Sequence, residues 1–375
     1  MAVPTVAAFT DTYLPTVNGV SYTVSTWRER WGCRGGRMHV VYPDAAHDPA
    51  STEHPVKSIA FPYYEGFRLG IPGVPTAVER DAIDVVHSHT PFLLGLGGAR
   101  FARRENLPLV ASYHTPTAEY ADYIAEGRLA DAVERVARHY EQWYLDRADA
   151  VVVPSEPARR HLADIGVSAT IEVVPNGVDT DRFRPVDTDE FRERHGLGDG
   201  VLLGYTGRHG YEKDLDAILD AVDGFRVDGE CPTVVFGGDG PARDHLMARA
   251  ETVDADVRFL GFLDRDELPA FYTCLDAFLF PSPVETQGLV ALEANACGTP
   301  VVGVDSGALA ETIDEGETGF HFPPNDAAAF RAAIQRALAD RESLSQNCLD
   351  RRDAVSVEHA VDRLETVYRA AADRH

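Results

Sequence analysis

Two carboxylates and two cations stand at spacings that suit chemistry on a charged, hydroxyl-rich ligand. Glu285 and Glu293, with seven residues between them, lie in Pro281-Ser282-Pro283-Val284-Glu285-Thr286-Gln287-Gly288-Leu289-Val290-Ala291-Leu292-Glu293-Ala294. The apolar run Leu275–Phe280 before them reads as a buried parallel strand. A helix is expected to open at Gly288 and to stop at Cys297-Gly298-Thr299-Pro300, ahead of another strand, Val301–Val304. The first amides of such a helix point outward unpaired and, with the macrodipole behind them, attract an anion such as a diphosphate. Carboxylates do not grip phosphate, but they accept hydrogen bonds from sugar hydroxyls. Glu285 before the helix and Glu293 along it are therefore expected to flank one pocket, suited to a nucleotide-sugar. The cations are Arg208 and Lys213, in Tyr205-Thr206-Gly207-Arg208-His209-Gly210-Tyr211-Glu212-Lys213-Asp214 at the end of another expected strand. Converging there, they would neutralise charge that develops on a departing diphosphate oxygen. Lys213 is conspicuous, because Lys57 is the chain's only other lysine.

Other stretches invite chemistry less strongly. In Thr10-Asp11-Thr12-Tyr13-Leu14-Pro15-Thr16-Val17-Asn18-Gly19-Val20 the Asn-Gly pair suggests a tight turn with exposed amides. His87 and His89, two apart on a strand, point the same way and suit zinc, yet no third ligand of the right kind stands nearby in sequence. Gly95-Leu96-Gly97-Gly98 mimics a dinucleotide fingerprint, but the required third glycine position holds Arg100. Asp-x-Asp triplets (Asp179/Asp181, Asp254/Asp256, Asp264/Asp266) arise by chance in a chain with 60 acidic residues, and none follows a strand at the right place. No metal cofactor is expected.

Elements able to hold these residues recur twice. In the first half, Thr5–Phe9, Met38–Tyr42, Asp84–His87, Leu109–Tyr113 and Ala150–Val153 read as strands, with helical periodicity in Gly97–Glu105 and Ala130–Asp146. The second half restarts with Val201–Tyr205, Thr233–Phe236, Val257–Leu260, Leu275–Phe280 and Val301–Val304. Such alternation implies an α/β fold with doubly wound parallel sheets, whose ligands sit at strand carboxyl ends. The polar stretch Asp179–Gly200 reads as a junction. The expected domains are 1–185 and 198–355, with a C-terminal helix 356–375 completing the first.

Composition narrows the function. The net charge of −25 over 375 residues argues against nucleic acid as a partner and suggests a halophilic source, where molar salt screens charge within about 3 Å. Five widely spaced cysteines without a C-x-x-C pair indicate buried thiols in a reducing cytosol. The start is too short and uncharged for a signal peptide, and no apolar run approaches the ~20 residues of a membrane span. Any membrane contact is expected to be peripheral, at the cytoplasmic face.

The Glu285/Glu293 spacing resembles the signature of family 4 retaining glycosyltransferases. Its Glu-Thr-Gln-Gly-Leu-Val form is most similar to the glycolipid-forming branch, the diacylglycerol glucosyl- and galactosyltransferases. Gly207-Arg208 followed by Lys213 resembles the family's Gly-Arg…Lys spacing, and Tyr211 departs from the small polar residue usual there. Gly237-Gly238-Asp239-Gly240-Pro241, Gly261-Phe262-Leu263, Pro175-Asn176-Gly177 and the loop holding Gly19 also match, in the family order, from Thr5 to about Pro323. The strand-end segment Ala111-Ser112-Tyr113-His114-Thr115-Pro116-Thr117-Ala118-Glu119-Tyr120-Ala121-Asp122-Tyr123 is similar to its counterpart in glycolipid synthases.

The resemblance implies two Rossmann-like domains facing across a cleft, the glycosyltransferase B fold. It implies transfer of a hexose, with retention, from a nucleoside diphosphate sugar, UDP-hexose before GDP-mannose. Arg208, Lys213, Glu285 and His114 would be catalytic. Gly19, Gly207, Gly238, Phe262, Thr286, Gln287, Gly288, Leu289 and Glu293 would bind the donor, and Asp11 would be a weaker site residue. A soluble sugar or sugar-phosphate acceptor, a nucleotide-sugar epimerase and a non-catalytic sensor are the alternatives. A lipid-borne acceptor is favoured. Tyr120, Tyr123, Ile124, Leu129, Val133, Val136, Tyr140, Trp143 and Tyr144 form an aromatic, apolar stripe interleaved with Arg128, Arg135 and Arg138, and Phe67–Pro72 reads as a second apolar loop. A stripe at helical spacing is more often core than membrane surface.

Overall fold

The computed structural model describes residues 2–16, 18–60, 68–114 and 128–375. The chain divides into two compact units, Met1–Gly177 with Val357–His375, and Val178–Ser356. The strands of the first unit are β1 (Thr5–Phe9), β2 (Arg37–Pro43), β3 (Glu53–Val56), β4 (Ser58–Ala60), β5 (Arg68–Gly70), β6 (Val85–Ser88), β7 (Leu109–Ser112), β8 (Ala150–Val153) and β9 (Ile171–Val173). Seven of them form a parallel sheet in the order β3-β2-β1-β6-β7-β8-β9, and β4 pairs antiparallel with β5. β1 is apolar from Val6 to Phe9 because both faces of the sheet are covered. Val6 and Ala8 face a cluster with Trp27, Trp31 and Tyr368, whereas Ala7 and Phe9 face one with Phe101 and Val151. The last helix, Val357–Arg374, adds Val361, Leu364 and Ala371 to the first of these clusters.

The second unit holds β10 (Leu202–Thr206), β11 (Thr233–Gly237), β12 (Asp256–Gly261), β13 (Ala277–Phe280), β14 (Val301–Val304) and β15 (Gly319–Phe322), all parallel in the order β12-β11-β10-β13-β14-β15. The winding reverses between β10 and β13. Such a switch point leaves a crevice beyond the strand carboxyl ends, where ligands of doubly wound folds bind. The loops that leave β10 and β13 carry Arg208, Lys213 and Glu285.

Three stretches fold differently from their sequence expectation. Asn18-Gly19 makes no tight turn: Asn18 is the extended N-cap of the helix Gly19–Cys33, accepting from the Ser21 amide at 2.8 Å, and Gly19 is the first helical residue. Asparagine serves both turns and caps, and here its side chain is taken up by the amide of Ser21 at the helix start. Phe67–Pro72 is no loop throughout, since Arg68–Gly70 is the strand paired with β4, and Phe67 lies outside the described residues. The stretch read as a junction folds into the second unit, where Phe183, Phe191 and Leu197 join the core. Its polar composition hides three well-spaced apolar anchors.

Candidate functional site

Three elements converge at the switch point of the second unit. β10 delivers Gly207-Arg208, and a short 3-10 turn, Tyr211–Lys213, aims Lys213 back toward the β13 loop. Lys213 Nζ donates to Glu285 Oε1 at 2.8 Å, so a cation and a carboxylate expected to be catalytic meet across 72 positions of sequence. Arg208 Nη1 lies 3.1 Å from Glu212 Oε1. Beneath them Tyr205 is buried, and its hydroxyl donates to the Arg208 carbonyl at 3.2 Å. Burial first, then the nearby Glu285 and Glu212, holds its phenol well above the usual range, so it stays a neutral donor.

The third element is the helix Leu289–Ala296. Gly288 precedes it in a left-handed conformation (φ 78°), and no side chain caps the helix. An uncapped start leaves its leading amides available to an anion. A Cβ at Gly288 would lie 2.6 Å from Leu309 Cδ2, so the turn depends on glycine both for conformation and for space. Loops beyond β14 brace this turn. The Ala308 amide donates to the Glu285 carbonyl (3.3 Å), and Thr312 Oγ1 donates to the Gln287 carbonyl (2.6 Å). Gln287 is buried, Thr286 and Leu289 are half-buried, and Phe262 after β12 is 59% exposed.

Glu293, within the helix Leu289–Ala296, is buried and accepts from Tyr272 Oη at 2.9 Å. Burial raises its carboxyl to about 7, against smaller lowering effects of Arg265 and the Tyr272 hydrogen bond. Desolvation outweighs these contacts, so the site favours the neutral form.

The Gly237–Gly240 turn lies against the β10 loop. A Cβ on Gly238 (φ 103°) would stand 2.0 Å from the Gly207 carbonyl oxygen, a backbone atom that cannot swing away. Gly238→Ala is therefore expected to destabilise the protein by about 3 kcal/mol in urea unfolding, whereas Gly198→Ala, with open space around it, stays within about 0.5 kcal/mol. Equal midpoints for the two variants would refute the close approach.

In the first unit, His114 is half-buried at the end of β7, with its Nε2 3.1 Å from His89 Nδ1. Trp27 packs against the His87, His89 and His114 rings at 6.0–6.4 Å. Burial lowers all three, His114 to about 4, so they are neutral hydrogen-bonding groups. His87 is committed to Tyr368 Oη (2.6 Å) and Ser112 Oγ (2.7 Å). Among the described residues no group of three or more side chains is arranged to hold a metal. Asp11 is buried and accepts from Thr90 Oγ1 at 2.9 Å and the Leu94 amide at 3.1 Å, which makes it an anchor for the start of the helix Leu93–Glu105. Burial raises its carboxyl to about 6.

Of the stripe after His114, residues 115–127, including Tyr120, Tyr123 and Ile124, lie outside the described residues, as do the side chains of Arg128, Leu129 and Val133. Within the helix Arg128–Leu145, Tyr144 and Leu145 are buried, while Val136 and Trp143 are 70% and 46% exposed. The structural residues that sequence reading missed are Tyr205 and His209, both hidden at a strand end where only packing reveals them.

Two family models match the chain: Glycosyltransferase Family 4 over residues 17–182 and Glycosyl transferases group 1 over residues 187–350. The chain is 29% identical to the alpha-monoglucosyldiacylglycerol synthase of Streptococcus pneumoniae, over 97% of this chain and 85% of that one. It is 30% identical to the GDP-mannose-dependent alpha-mannosyltransferase of Mycolicibacterium smegmatis, over 90% and 89%. Its fold superposes on sucrose-phosphate synthase from Thermosynechococcus elongatus with a TM-score of 0.80 at 22% identity, over 99% and 100% of the two chains. Two matched models in order, extensive relatives and a shared two-domain α/β fold place this chain among the family 4 glycosyltransferases of the B-type fold, as a hexosyltransferase.

Proposed function

We propose that this enzyme moves a hexose from a nucleoside diphosphate sugar to a lipid-borne acceptor, with retention at the anomeric carbon. The observation that carries the donor half is the Lys213–Glu285 pair beside Arg208, at an uncapped helix start on the switch point of a doubly wound sheet. In this reading Arg208 and Lys213 take the diphosphate oxygens and stabilise the leaving group. Glu285 exchanges Lys213 for hydroxyls of the transferred sugar, and Glu293 accepts from the ribose. His114 holds a hydroxyl on the reacting sugar, and Phe262 lies beside the base. UDP-hexose is favoured as donor, with GDP-mannose the second choice, since the mycobacterial relative is named for that donor.

The lipid half rests on the glycolipid synthase named among the relatives and on the first unit's surface. Exposed Val136 and Trp143, seven positions apart, share one side of a helix that also carries exposed Arg135 and Arg138, and Ile59 and Ile71 are exposed near the β4–β5 hairpin. No helix among the described residues is long and apolar enough to cross a membrane, so contact of this kind would be peripheral. The test offers the enzyme labelled UDP-glucose, UDP-galactose or GDP-mannose, with diacylglycerol- or archaeol-type lipid in one arm and soluble sugars or sugar phosphates in the other. Label is expected in the lipid fraction. Glycosylation of soluble acceptors alone would overturn the lipid half and leave the transferase standing.

A further inference from the structure

His209 belongs to the Arg208 loop, yet no part of the donor reading uses it. The residue is completely buried, its ring lying 6.1–6.3 Å from those of Tyr205, Phe236 and Phe259. A leucine would fill such an apolar cage as well. What a leucine could not do is bind the glycine turn on the neighbouring strand. His209 Nε2 lies 3.1 Å from the Gly237 carbonyl oxygen, its amide donates to the Asp239 carbonyl at 2.8 Å, and its own carbonyl accepts from the Ala242 amide at 2.8 Å. Because a carbonyl only accepts, Nε2 carries the proton. Nδ1 is left as a buried lone pair without a partner, the less costly of the two possible orphans.

The fit is close on both sides. A Cβ on Gly240 would lie 2.5 Å from the His209 carbonyl oxygen, just as one on Gly238 would meet Gly207. The two loops thus approach to backbone contact, and His209 contributes a side-chain hydrogen bond between them.

We propose that His209 is a positioning residue of the donor site. Its imidazole clamps the Arg208 loop to the Gly237–Gly240 turn and so fixes the guanidinium's backbone relative to the space beside that turn. The inference rests on the reading of this crevice as the nucleoside diphosphate site. Its consequence is separable from general stability, because a glutamine can present an N–H to the Gly237 carbonyl where a leucine cannot.

The test compares wild type, His209→Leu and His209→Gln as full chains, well below their melting temperatures. Calorimetry measures UDP and GDP binding, and hydrogen exchange follows the amides of His209 and Ala242. His209→Leu is expected to lose about tenfold in nucleoside diphosphate affinity, with faster exchange at both amides, the effect of one lost buried hydrogen bond that leaves its carbonyl partner short. His209→Gln should recover most of the affinity and of the protection. Unchanged affinity and exchange in His209→Leu, or a glutamine variant no better than the leucine one, would overturn the clamp. Absence of UDP and GDP binding in wild type would instead refute the donor reading, and the exchange arm would still decide whether His209 holds the two loops together.

Discussion

Lys213→Ala is expected to cut turnover by roughly 10²–10³-fold at saturating donor, the loss typical of removing one preorganised group that stabilises transition-state charge, about 3 kcal/mol. Arg208→Ala should lose a similar amount. The expectation follows from placement: both cations are carried by the loop that leaves β10, at the switch point, and each rests on a carboxylate, Glu285 for Lys213 and Glu212 for Arg208. A diphosphate entering the crevice offers either cation a partner of higher charge, so the pairs can open as the donor binds. Folding should hardly change, because Arg208 and Glu212 are 37% and 30% exposed and Lys213 and Glu285 20% and 17%, and ion pairs open to water contribute about 0–1 kcal/mol. A kcat measured beside an unfolding curve separates the two effects. Ordinary turnover by Lys213→Ala would sink its role at the leaving group.

Glu285 and Glu293 should part in their kinetics and in their pH dependence. Glu285→Gln is expected to slow turnover by about 10²-fold with little change in donor KM. Glu293→Gln should mainly raise KM, the pattern of lost uniform binding. Glu293 is also the group whose titration a donor would move. Its folded carboxyl titrates near 7, against an ordinary value of 4.5, because burial penalises the charge. A raised folded value favours the protonated form. Its contribution to folding is therefore fully present below about pH 4.5 and is lost as pH rises through 7, on the order of 3 kcal/mol across that window.

Ribose hydroxyls would supply further donors to this carboxylate, so binding should lower its titration and release a proton near pH 7. Calorimetry in buffers of different ionisation enthalpy reads that proton. Wild type should release it on binding nucleoside diphosphate and Glu293→Gln should not. Asp11, raised to about 6, titrates in both proteins and cancels from the comparison. Equal proton release by both would remove Glu293 from the donor's contacts.

Much of the fold was legible without coordinates. Strands buried on both faces are written as short unbroken apolar runs, and β1, β8 and β14 begin and end where those runs do. Weaker strands escaped notice. Glu53–Val56, Ile171–Val173 and Gly319–Phe322 lie at or near sheet edges, where one neighbour suffices and charged or polar residues are tolerated, so their sequences carry no apolar run. The candidate site was legible to the extent that its residues sit in local strand–turn–helix units: the glycine before an uncapped helix, the Gly-Arg at a strand end, the glycine turn after β11.

By itself the sequence determined which residue types were available at each strand end, because backbone conformation and local hydrogen bonding depend on near neighbours. Only the tertiary structure decided which of them meet. Lys213 and Glu285 are 72 positions apart and become partners because β10 and β13 lie side by side at the reversal of the sheet. Glu293 is placed by the sequence beside the expected pocket, but its titration near 7 exists because the folded core buries it, against the lowering hydrogen bond that Tyr272 supplies from a different helix. Asp11 holds the start of the helix Leu93–Glu105, and His209 bridges two loops. In each case desolvation and a partner distant in sequence set the chemistry of the side chain, and neither can be written in a local pattern.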